Sequence, residues 1–475
     1  MAIPARYQKI VHRWKQIPLD YSEQGIELHL VQPMFEALGY STGLVKSNVS
    51  LGTGSGLKAD HLIFTDPTQP PVLVVEVKKR IAALANAASD EDFLKLCHQP
   101  NSLYRLAVGY RDGSNNNNGI CQYLNKSNSN IHPNRLASYG LVINGDFFQL
   151  WRRVDGLVLP LTPLQRMTAN SIPKLMQQLE HCFNAPKRAL ITAIWNRKGG
   201  VAKTTNTLNL GAVLALAGKK VLLIDLDTQT DLTRSFQIHS KDHKDCLYQC
   251  FTDLQAGKTT NARAILKHCI GSRSFPTIDK KSFSLDILAG EQDTLVNIRD
   301  DKTNFSQRDK VKILKKMLDI LAKDYDYIFI DVSPARDDLM VMMLFGCDTL
   351  LIPSDYSRKT LHHAADLYQM DAKTVRDKRE QQDKLYIGPW NLGLVFSNCP
   401  TGVTPTSQLE RCIQKELQKK NFIGKQCKTR LAIYAQTKLA EYKNAPVICW
   451  QNSPITKLYH KLVEEIFLQH HFLDD

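Results

Sequence analysis

Residues 196–205 read Asn-Arg-Lys-Gly-Gly-Val-Ala-Lys-Thr-Thr, a combination that could hold a polyphosphate. Glycines let the backbone approach phosphate oxygens, and consecutive N–H groups at a helix N-terminus supply positive potential. Lys203 is spaced to reach the β and γ phosphates, and the hydroxyl of Thr204 is spaced to bind Mg²⁺. The segment therefore predicts a nucleotide-binding loop with Mg²⁺ as a cofactor. Lys198 adds a second positive charge at the start of the loop.

The loop and two later segments resemble the deviant Walker A ATPases of the ParA/MinD type. Residues 198–205 match the pattern Lys-Gly-Gly-x-Gly-Lys-Thr-Thr, residues 221–229 match a strand ending in Asp-x-Asp-Pro-Gln, and residues 327–334 match the Walker B strand and switch. Two positions depart from these patterns. Ala202 replaces a glycine where the backbone approaches phosphate, and Thr228 replaces a proline.

The resemblance implies a role for each charged residue. Lys198 would cross a nucleotide-sandwiched dimer to the partner's phosphates, Asp331 would hold Mg²⁺ through water, and Asp227 would orient or activate the attacking water. Asp225 would support the switch. ATP binding and homodimerisation would then be one event. The nucleotide-contacting set would comprise Lys198, Gly199, Gly200, Val201, Ala202, Lys203, Thr204, Thr205, Asp225 and Asp331.

A second set of chemically capable residues consists of Asp60, Glu76 and Lys78. The two-residue strand period turns Glu76 and Lys78 to one face while Val75 and Val77 enter the core. Two carboxylates and a lysine can bind Mg²⁺ at a scissile phosphate, lower the pKa of bound water and position that water. The alternative is a half-buried hairpin with solvated charges.

This second set resembles the PD-(D/E)xK nucleases, and over about residues 20–155 the N-terminal nuclease domain of the type I restriction enzyme motor subunit. Glu23 with Leu38-Gly39-Tyr40, and the Asn144-Gly145 turn, match the context of that domain. The resemblance implies that Asp60, Glu76 and Lys78 are catalytic. It also implies metal ligation by Glu23, Asp60, Glu76 and Val77, beside Thr204 and Asp331 in the ATPase. One feature departs, because Gln99 and Tyr104 are five residues apart instead of four and Pro100 follows Gln99.

The elements that must carry these residues divide the chain in two. Residues 23–38 show largely helical apolar spacing that stops at Gly39, and residues 57–64 and 72–78 predict a strand hairpin. Asn144-Gly145 predicts a second hairpin within residues 139–151. Residues 172–183 predict a helix before a linker at 184–187, whereas the polar stretch 111–134 predicts a mobile loop.

The predicted fold class is α/β throughout. Residues 1–184 would form a restriction-endonuclease-like domain, and residues 188–475 a P-loop ATPase with a mostly parallel sheet flanked by helices.

Charge and composition point to the partners. Lysine and arginine number 61 against 47 aspartate and glutamate, a net charge of +14 that favours polyanions. Residues 411–430 contain seven cationic residues and one acidic residue, Glu416. This excess of positive charge is typical of a surface that contacts phosphates without reading bases. A solvated helix face would have the same composition. Partition ATPases place nonspecific DNA binding in this region, so Lys425, Lys428 and Arg430 are the candidate DNA contacts.

The eleven cysteines form no paired framework, which is typical of a reducing cytoplasm. The spacing of Cys246, Cys250, His268 and Cys269 matches no familiar zinc site. The sequence has no apolar run of the ~20 residues that a membrane span requires and no signal-peptide core. We expect a cytoplasmic protein without membrane contact.

Two functional hypotheses follow. The first is a Mg²⁺-dependent DNA endonuclease controlled by ATP-dependent dimerisation, serving defence against plasmids or phage, or a mobile element. The alternative is a partition or positioning ATPase that does not cleave DNA and uses a degenerate nuclease domain as a DNA or partner clamp. A protein partner that stimulates hydrolysis is compatible with both, and the sequence does not name it.

Overall fold

The computed structural model describes residues 4–41, 43–52, 56–109, 119–184, 187–238, 245–279, 281–301, 304–382, 387–399, 407–422 and 424–473. The chain folds into two compact units. The first consists of Met1–Pro186, Asp383–Ile387 and Phe467–Asp475, and the second of Lys187–Gln382 and Gly388–Ile466. The sequence predicts a change of domain between residues 184 and 188, but the two later returns to the first unit carry no signal in the sequence.

The described helices and strands of the first unit alternate along the chain. The helices are α1 (Ala5–Lys15), α2 (Glu23–Ile26), a π-helix (Glu27–Val31), α3 (Gln32–Ala37), α4 (Ala82–Ala85), α5 (Asp90–Cys97), α6 (Leu103–Val108), α7 (Ile120–Tyr123), a 3₁₀ turn (Pro133–Arg135) and α8 (Ser171–Asn184). The strands are β1 (Val45–Ser50), β2 (Lys58–Ile63), β3 (Leu73–Val77), β4 (Tyr139–Ile143), β5 (Phe147–Val154), β6 (Leu157–Pro160), β7 (Gln165–Arg166) and, from the C-terminal part of the chain, β16 (His471–Phe472).

These strands form one mixed sheet in the order β1-β2-β3-β4-β5-β6-β16, with β7 paired to β5. The pairs β3–β4 and β6–β16 are parallel, and the other pairs are antiparallel. Apolar residues on the two faces of the sheet enter separate clusters, one packed against α1, α3 and α8 and the other against α5, α6 and α7. The sheet thus has helices on both faces.

Most predicted elements of the first unit are present. The helix predicted over residues 23–38 is continuous from α2 to α3, with a π-helical turn in the middle, and it ends before Gly39, whose φ is 88°. The Asn144-Gly145 turn joins β4 and β5, and the side chain of Asn144 accepts hydrogen bonds from the backbone N–H groups of Asp146 and Phe147, both at 2.9 Å. Gly145 takes a φ of 89°, the left-handed conformation that this turn needs.

The prediction of a loop over residues 111–134 is wrong for residues 120–123. Residues 111–118 lie outside the described residues, but Ile120–Tyr123 forms α7 and buries Ile120, Cys121 and Tyr123. These side chains join the cluster that also contains Val74 and Val142. Burial of a few apolar side chains outweighs the polar composition that predicted a loop.

The described elements of the second unit begin with β8 (Leu190–Ile194), α9 (Lys203–Leu216), β9 (Val221–Leu226), α10 (Asp231–Ser235), α11 (Cys246–Gln255), α12 (Thr259–Cys269), β10 (Ile270–Pro276), β11 (Ser282–Leu288), α13 (Gln292–Asp300), α14 (Gln307–Leu321) and β12 (Tyr327–Val332). They continue with α15 (Asp338–Gly346), β13 (Thr349–Ser354), α16 (Arg358–Asp366), a π-helix (Leu367–Ala372), α17 (Lys373–Gln382), β14 (Trp390–Cys399), α18 (Ser407–Lys419), β15 (Gln426–Ala432), α19 (Ala435–Tyr442), a 3₁₀ turn (Val447–Cys449) and α20 (Pro454–Val463). A π-helix, Glu464–Leu468, follows α20.

The sheet of the second unit has the order β10-β11-β9-β12-β8-β13-β14-β15. Only β10–β11 is antiparallel among the described pairs, so the predicted mostly parallel sheet is confirmed. Strand β12 lies between β8 and β9, and its Asp331 pairs in register with both Ile194 and Asp225. Parallel strands bring their carboxyl ends to one edge, which gathers the end of β8, Asp225 and Asp331 there. Within the described chain, no helix combines the length and apolarity needed to cross a bilayer.

Candidate functional sites

Asn196 anchors the loop between β8 and α9. This fully buried side chain accepts a hydrogen bond from the backbone N–H of Lys198 at 3.1 Å and donates one to the carbonyl of Pro353 at 2.8 Å. Residues 197–200 are exposed, with backbone that a ligand can approach. Gly200 adopts a φ of 78°, which a glycine takes at little cost.

Ala202, the residue that replaces a glycine of the family pattern, adopts the left-handed conformation with φ 65° and ψ 34°. It caps α9 in the same backbone conformation that a glycine would take. The alanine therefore preserves the loop shape and adds a local strain of about 1–2 kcal/mol.

Lys203 and Thr204 open helix α9 beneath this loop. The ammonium of Lys203 lies 3.3 Å from the carbonyl oxygen of Lys198, so it reaches back across the loop. Burial lowers the pKa of Lys203, and the carboxylates of Asp331 and Asp227 oppose that shift. A cation held in this position faces the space above the helix N-terminus, where phosphate groups bind.

Thr204 and Asp331 form a pair that fits a divalent cation. The hydroxyl of Thr204 donates to Oδ2 of Asp331 at 2.6 Å, while Oδ1 of the same carboxylate is buried and has no hydrogen-bond partner among the described residues. Burial and repulsion from Asp225 raise the pKa of Asp331 well above its usual range. A bound Mg²⁺ would satisfy the orphaned oxygen and offset the repulsion, because hard oxygen ligands are those Mg²⁺ prefers.

Asp225 and Asp227 have different surroundings. Asp225 is buried and accepts hydrogen bonds from the N–H of Asp227 at 3.1 Å and from the N–H and hydroxyl of Thr233 at 2.8 and 2.7 Å. Burial raises its pKa to about 6, against those hydrogen bonds. Asp227 is half-buried and close enough to Lys203 for the lysine to lower its pKa, although burial raises that pKa overall. Asp225 thus supports the loop that presents Asp227.

Lys198 is exposed, which the predicted contact with a second subunit requires. Asn398, which the sequence patterns did not single out, donates from its side chain to the carbonyl of Gly200 at 2.7 Å. It lies near the end of β14 with a positive φ of 57°. Its distance along the chain from residues 196–205 left no local signal for this contact.

The predicted acidic set of the first unit comes together on β2 and β3. These antiparallel strands pair His61 with Val75, so the next position along the register sets Asp60 opposite Glu76. The N–H of Val77 donates to Oδ2 of Asp60 at 2.6 Å. The ammonium of Lys78 lies 2.7 Å from Oε1 of Glu76 and 3.6 Å from Oε2 of Glu23. Two strands and one helix therefore deliver four of the predicted residues to one place.

Burial shifts the pKa values of the charged side chains at this site. Burial raises the pKa of Glu76 to about 7, against the attraction of Lys78. Burial also raises the pKa of Asp60, against the N–H of Val77 and the charge of Lys78. Burial alone would lower the pKa of Lys78, but Glu76 and Glu23 outweigh it and raise that pKa. Carboxylates in this state are stabilised by an added cation.

Two neighbours of this site were missed in the sequence. Glu27, one helical turn after Glu23, has a pKa raised to about 7 by burial and by repulsion from Asp60 and Glu23. Tyr123 of α7 contributes a side-chain hydrogen bond to Glu76. The spacing of Glu23 and Glu27 was a usable signal, whereas Tyr123 lay in the stretch predicted as a loop.

Gln99 and Tyr104, whose spacing departs from the family pattern, lie on different elements, Gln99 after α5 and Tyr104 in α6. Gln99 is exposed just after α5, and the hydroxyl of Tyr104 donates to Gln149 at 2.7 Å. No three His, Cys, Asp or Glu side chains of the described residues are gathered as a complete metal-binding group. Mg²⁺ is usually held by one or two carboxylates with waters and substrate phosphate oxygens, so Asp60 and Glu76 with the carbonyl of Val77 meet its usual requirement.

The predicted DNA contacts lie in or beside β15, the edge strand of the second sheet. Lys425 and Lys428 are exposed. Arg430 is half-buried, with its guanidinium 4.2 Å from the ring centroid of Phe396 and a hydrogen bond of 2.7 Å to the carbonyl of Cys427. The two lysines are available to a polyanion, while Arg430 packs within the unit.

Comparison with known proteins concerns mainly the second unit. Residues 189–385 match the family described as AAA domain. The sporulation initiation inhibitor protein Soj of Bacillus subtilis is 31% identical over 163 residues, which cover 34% of this chain and 57% of that protein. The chromosome partitioning protein ParA of Myxococcus xanthus is 32% identical over 165 residues, which cover 34% of this chain and 51% of that protein. The chain thus spans little more than half the length of these curated relatives.

Among solved structures, apo McdA of Cyanothece is 19% identical, with a TM-score of 0.46 over 58% of this chain and 99% of that chain. The pNOB8 ParA bound to nonspecific DNA is 22% identical, with a TM-score of 0.41 over 58% of this chain and 99% of that chain.

Proposed function

We propose that the second unit is a Mg²⁺-dependent ATPase of the ParA/MinD type that dimerises on ATP and takes part in partitioning or positioning DNA. The observation that carries this proposal is the Thr204–Asp331 pair with its orphaned buried oxygen, set beneath the loop and beside Lys203. The match to AAA domain and the partition proteins among the relatives support it.

Each residue would act by position and charge. The loop amides and Lys203 bind the phosphates, and Thr204 with Asp331 hold Mg²⁺, which neutralises charge on the phosphoryl group being transferred. Asp227, held by the network around Asp225, orients the attacking water. Lys198 supplies a cation to the partner's nucleotide across the dimer. Lys425 and Lys428 contact DNA phosphates without reading bases.

A comparison of Lys198→Ala with Arg197→Ala tests the dimer. Both residues are exposed cations at the same end of the loop, so the pair separates a specific role from general charge. The Lys198→Ala protein should bind ATP, because Lys203 and the loop remain, yet stay monomeric in light scattering, while Arg197→Ala should dimerise. Normal dimerisation of Lys198→Ala would exclude the sandwich.

A second candidate activity is Mg²⁺-dependent DNA cleavage by the first unit. The convergence of Glu23, Asp60, Glu76 and Lys78 favours it, since these residues come from three separate elements. Asp60 and Glu76 would hold Mg²⁺ at the scissile phosphate, and Lys78 would position the attacking water or stabilise the charge that develops on the phosphate. The matched family region begins at residue 189 and does not bear on this site, so the partition role ranks first.

Plasmid cleavage in Mg²⁺ tests this candidate. Asp60→Ala, Glu76→Ala and Lys78→Ala should each abolish cutting, whereas Lys79→Ala, which removes an exposed neighbouring charge, should cut normally. ATP hydrolysis should be unchanged in all four proteins. An intact wild-type protein that leaves plasmid uncut, with and without ATP, would exclude cleavage and leave the first unit as a clamp.

Coupling between the two activities has its own test. If ATP-dependent dimerisation assembles paired cutting sites, Lys203→Ala should lose both hydrolysis and double-strand cleavage. Undiminished cleavage by that variant would mean that the ATPase only delivers the nuclease to DNA.

A further inference from the structure

A pocket of about 360 Å³ lies on the first unit, lined by residues of β1 and β2 and by three residues between 132 and 135. Leu62 lines it and pairs in register with Lys46 of β1, another lining residue. Leu62 is two residues along β2 from Asp60, so it shares the face of Asp60 and lies about 7 Å further along the strand. The volume falls in the range of small-molecule pockets, roughly 300–1,000 Å³.

Basic side chains and one aromatic side chain, Phe64, line the pocket. The ammonium of Lys46 lies 4.8 Å from the ring centroid of Phe64. His132 and Arg135, which are distant from Lys46 in the sequence, line the same pocket. None of the described lining residues is acidic. A phosphate suits the cations, and the exposed side-chain amides of Gln69 and Asn134 can exchange hydrogen bonds with the polar edge of a nucleobase.

Hydrogen bonds hold the walls in place. The backbone of His132 donates to the carbonyl of Leu51 at 2.8 Å, and the guanidinium of Arg135 donates to the carbonyl of Ser50. The N–H of Asn134 donates to Nδ1 of His132 at 3.2 Å, so the neutral imidazole carries its proton on Nε2, as a donor. A pocket organised before binding loses little conformational freedom when a ligand enters.

We propose that this pocket binds a 5′-nucleotide, with its phosphate on Lys46 and Arg135 and the polar edge of its base at Gln69 and Asn134. The chemistry is shared by a free nucleotide and by a nucleotide within a DNA strand. Only the role of the bound nucleotide rests on the cleavage activity proposed above. In that role the pocket holds the strand one or two nucleotides from the phosphate at Asp60 and Glu76.

Calorimetric titration of the full chain in EDTA tests the binding, because neither metal-dependent site is then engaged. The probes are thymidine 5′-monophosphate, thymidine, and tetrathymidylate with and without a 5′-phosphate. Lys46→Met removes the charge while keeping an unbranched apolar side chain against Phe64, and Lys46→Arg restores the charge. Lys174→Met, an exposed lysine of α8 outside the pocket, is the matched control.

Lys46→Met should weaken the binding of thymidine 5′-monophosphate about tenfold, because one charged hydrogen bond is lost. Lys46→Arg and Lys174→Met should bind it with wild-type affinity. Thymidine should bind at least tenfold more weakly than its monophosphate. Equal affinities of Lys46→Met and Lys174→Met, with unchanged thermal unfolding, would overturn the proposal.

The remaining probes identify the source of the nucleotide. Tighter binding of tetrathymidylate than of the mononucleotide assigns the pocket to a DNA strand, and the reverse assigns it to a free nucleotide. Asp60→Ala should leave thymidine 5′-monophosphate binding unchanged, so a failure of the cleavage activity does not resemble a failure of the pocket.

Discussion

Asp331 shows how a single buried carboxylate identifies a cation site. One of its oxygens is bound by Thr204 and the other has no partner in the described part of the chain, although burial of an unsatisfied polar atom costs roughly 1–3 kcal/mol. Asp225 lies beside it in register and adds repulsion. A protein keeps such an arrangement where binding a ligand removes the cost.

At the residue scale, Ala202→Gly should stabilise the protein. Ala202 is in the left-handed region, where a glycine is unstrained, and the gain should exceed the entropy that a glycine loses on folding by about 0.5–1 kcal/mol. Calorimetric melting of the nucleotide-free protein should show a rise of about 2 °C in the transition of the second unit. A lower melting temperature would mean that the alanine methyl makes a contact that outweighs the strain.

Glu76→Gln should stabilise the metal-free protein at pH 8. Burial raises the pKa of Glu76 to about 7 in the folded state, so the folded protein holds more protons than the unfolded chain between pH 4.5 and 7. Stability from this group is therefore present at low pH and lost as the pH rises to 7. The amide does not titrate, and the gain at pH 8 should be on the order of 3 kcal/mol, because the raised pKa already includes the attraction of Lys78.

Thermal melts in EDTA at pH 5 and pH 8 measure this difference. Glu36→Gln, at an exposed position of α3, is the control and should change neither melt. Equal stability of Glu76→Gln and wild type at pH 8 would show that the lysine fully compensates the buried charge.

The cationic side chains in and beside edge strand β15 differ in their exposure to solvent. Lys425 and Lys428 are exposed, whereas Arg430 packs on Phe396. The double variant Lys425→Ala/Lys428→Ala should weaken nonspecific DNA binding and reduce the slope of log K against log salt by about 2, since each phosphate contact contributes about 0.9. Arg430→Ala should instead lower thermal stability, because a packed side chain is lost.

Fluorescence anisotropy on a duplex at several salt concentrations gives this slope. Lys438→Ala, an exposed lysine of α19, is the control. A double variant with the wild-type slope would place the DNA surface on other elements.

Elements with a local signal were predicted well. The helix over residues 23–38, strands β2 and β3 and the Asn144-Gly145 hairpin each depend on a period or a turn present in adjacent residues. Elements decided by contacts far along the chain were missed, and α7 is the example, since its few apolar side chains gain their packing from strands β3 and β4.

The same distinction holds for the sites. Lys203, Thr204 and Asp331 were recognisable because their motifs are contiguous, and the acidic set because it lies on one hairpin and one helix. Asn398 and Tyr123 reach their sites only through the fold. The exposure of individual side chains could not be predicted from the sequence either. Nothing in the spacing of Lys428 and Arg430 indicates that Lys428 is exposed whereas Arg430 stacks on an aromatic ring.

At the scale of the whole molecule, the chain passes between its two units four times, after residues 186, 382, 387 and 466. The last passage brings β16 to the first sheet. The N–H of His471 donates to the carbonyl of Gly156 at 3.1 Å, and the N–H of Leu473 donates to that of Val158 at 2.8 Å. Phe472 lies 5.9 Å from Trp151, measured between ring centroids. The first unit is thus completed by residues that follow the second.

Deletion of residues 469–475 should therefore destabilise the first unit and spare the second. The truncated protein should bind ATP with wild-type affinity, while hydrogen exchange in β5 and β6 becomes faster because β6 loses β16 and becomes the edge of the sheet. Phe472→Ala should show a smaller increase, since it removes the ring contact and keeps the strand. Unchanged exchange in the truncated protein would show that β16 contributes nothing to the sheet.

Strand β16 also sets an order for folding during synthesis. A ribosome adds about 5–20 residues per second, so the time from residue 186 to residue 471 is on the order of tens of seconds. Through that interval β6 is paired with β5 alone, and its other edge presents unpaired backbone groups of the kind that attract other chains. The first unit, although it emerges first, acquires its complete sheet only after the second unit has been made. A chain released before residue 471 would have its P-loop and an unfinished first sheet.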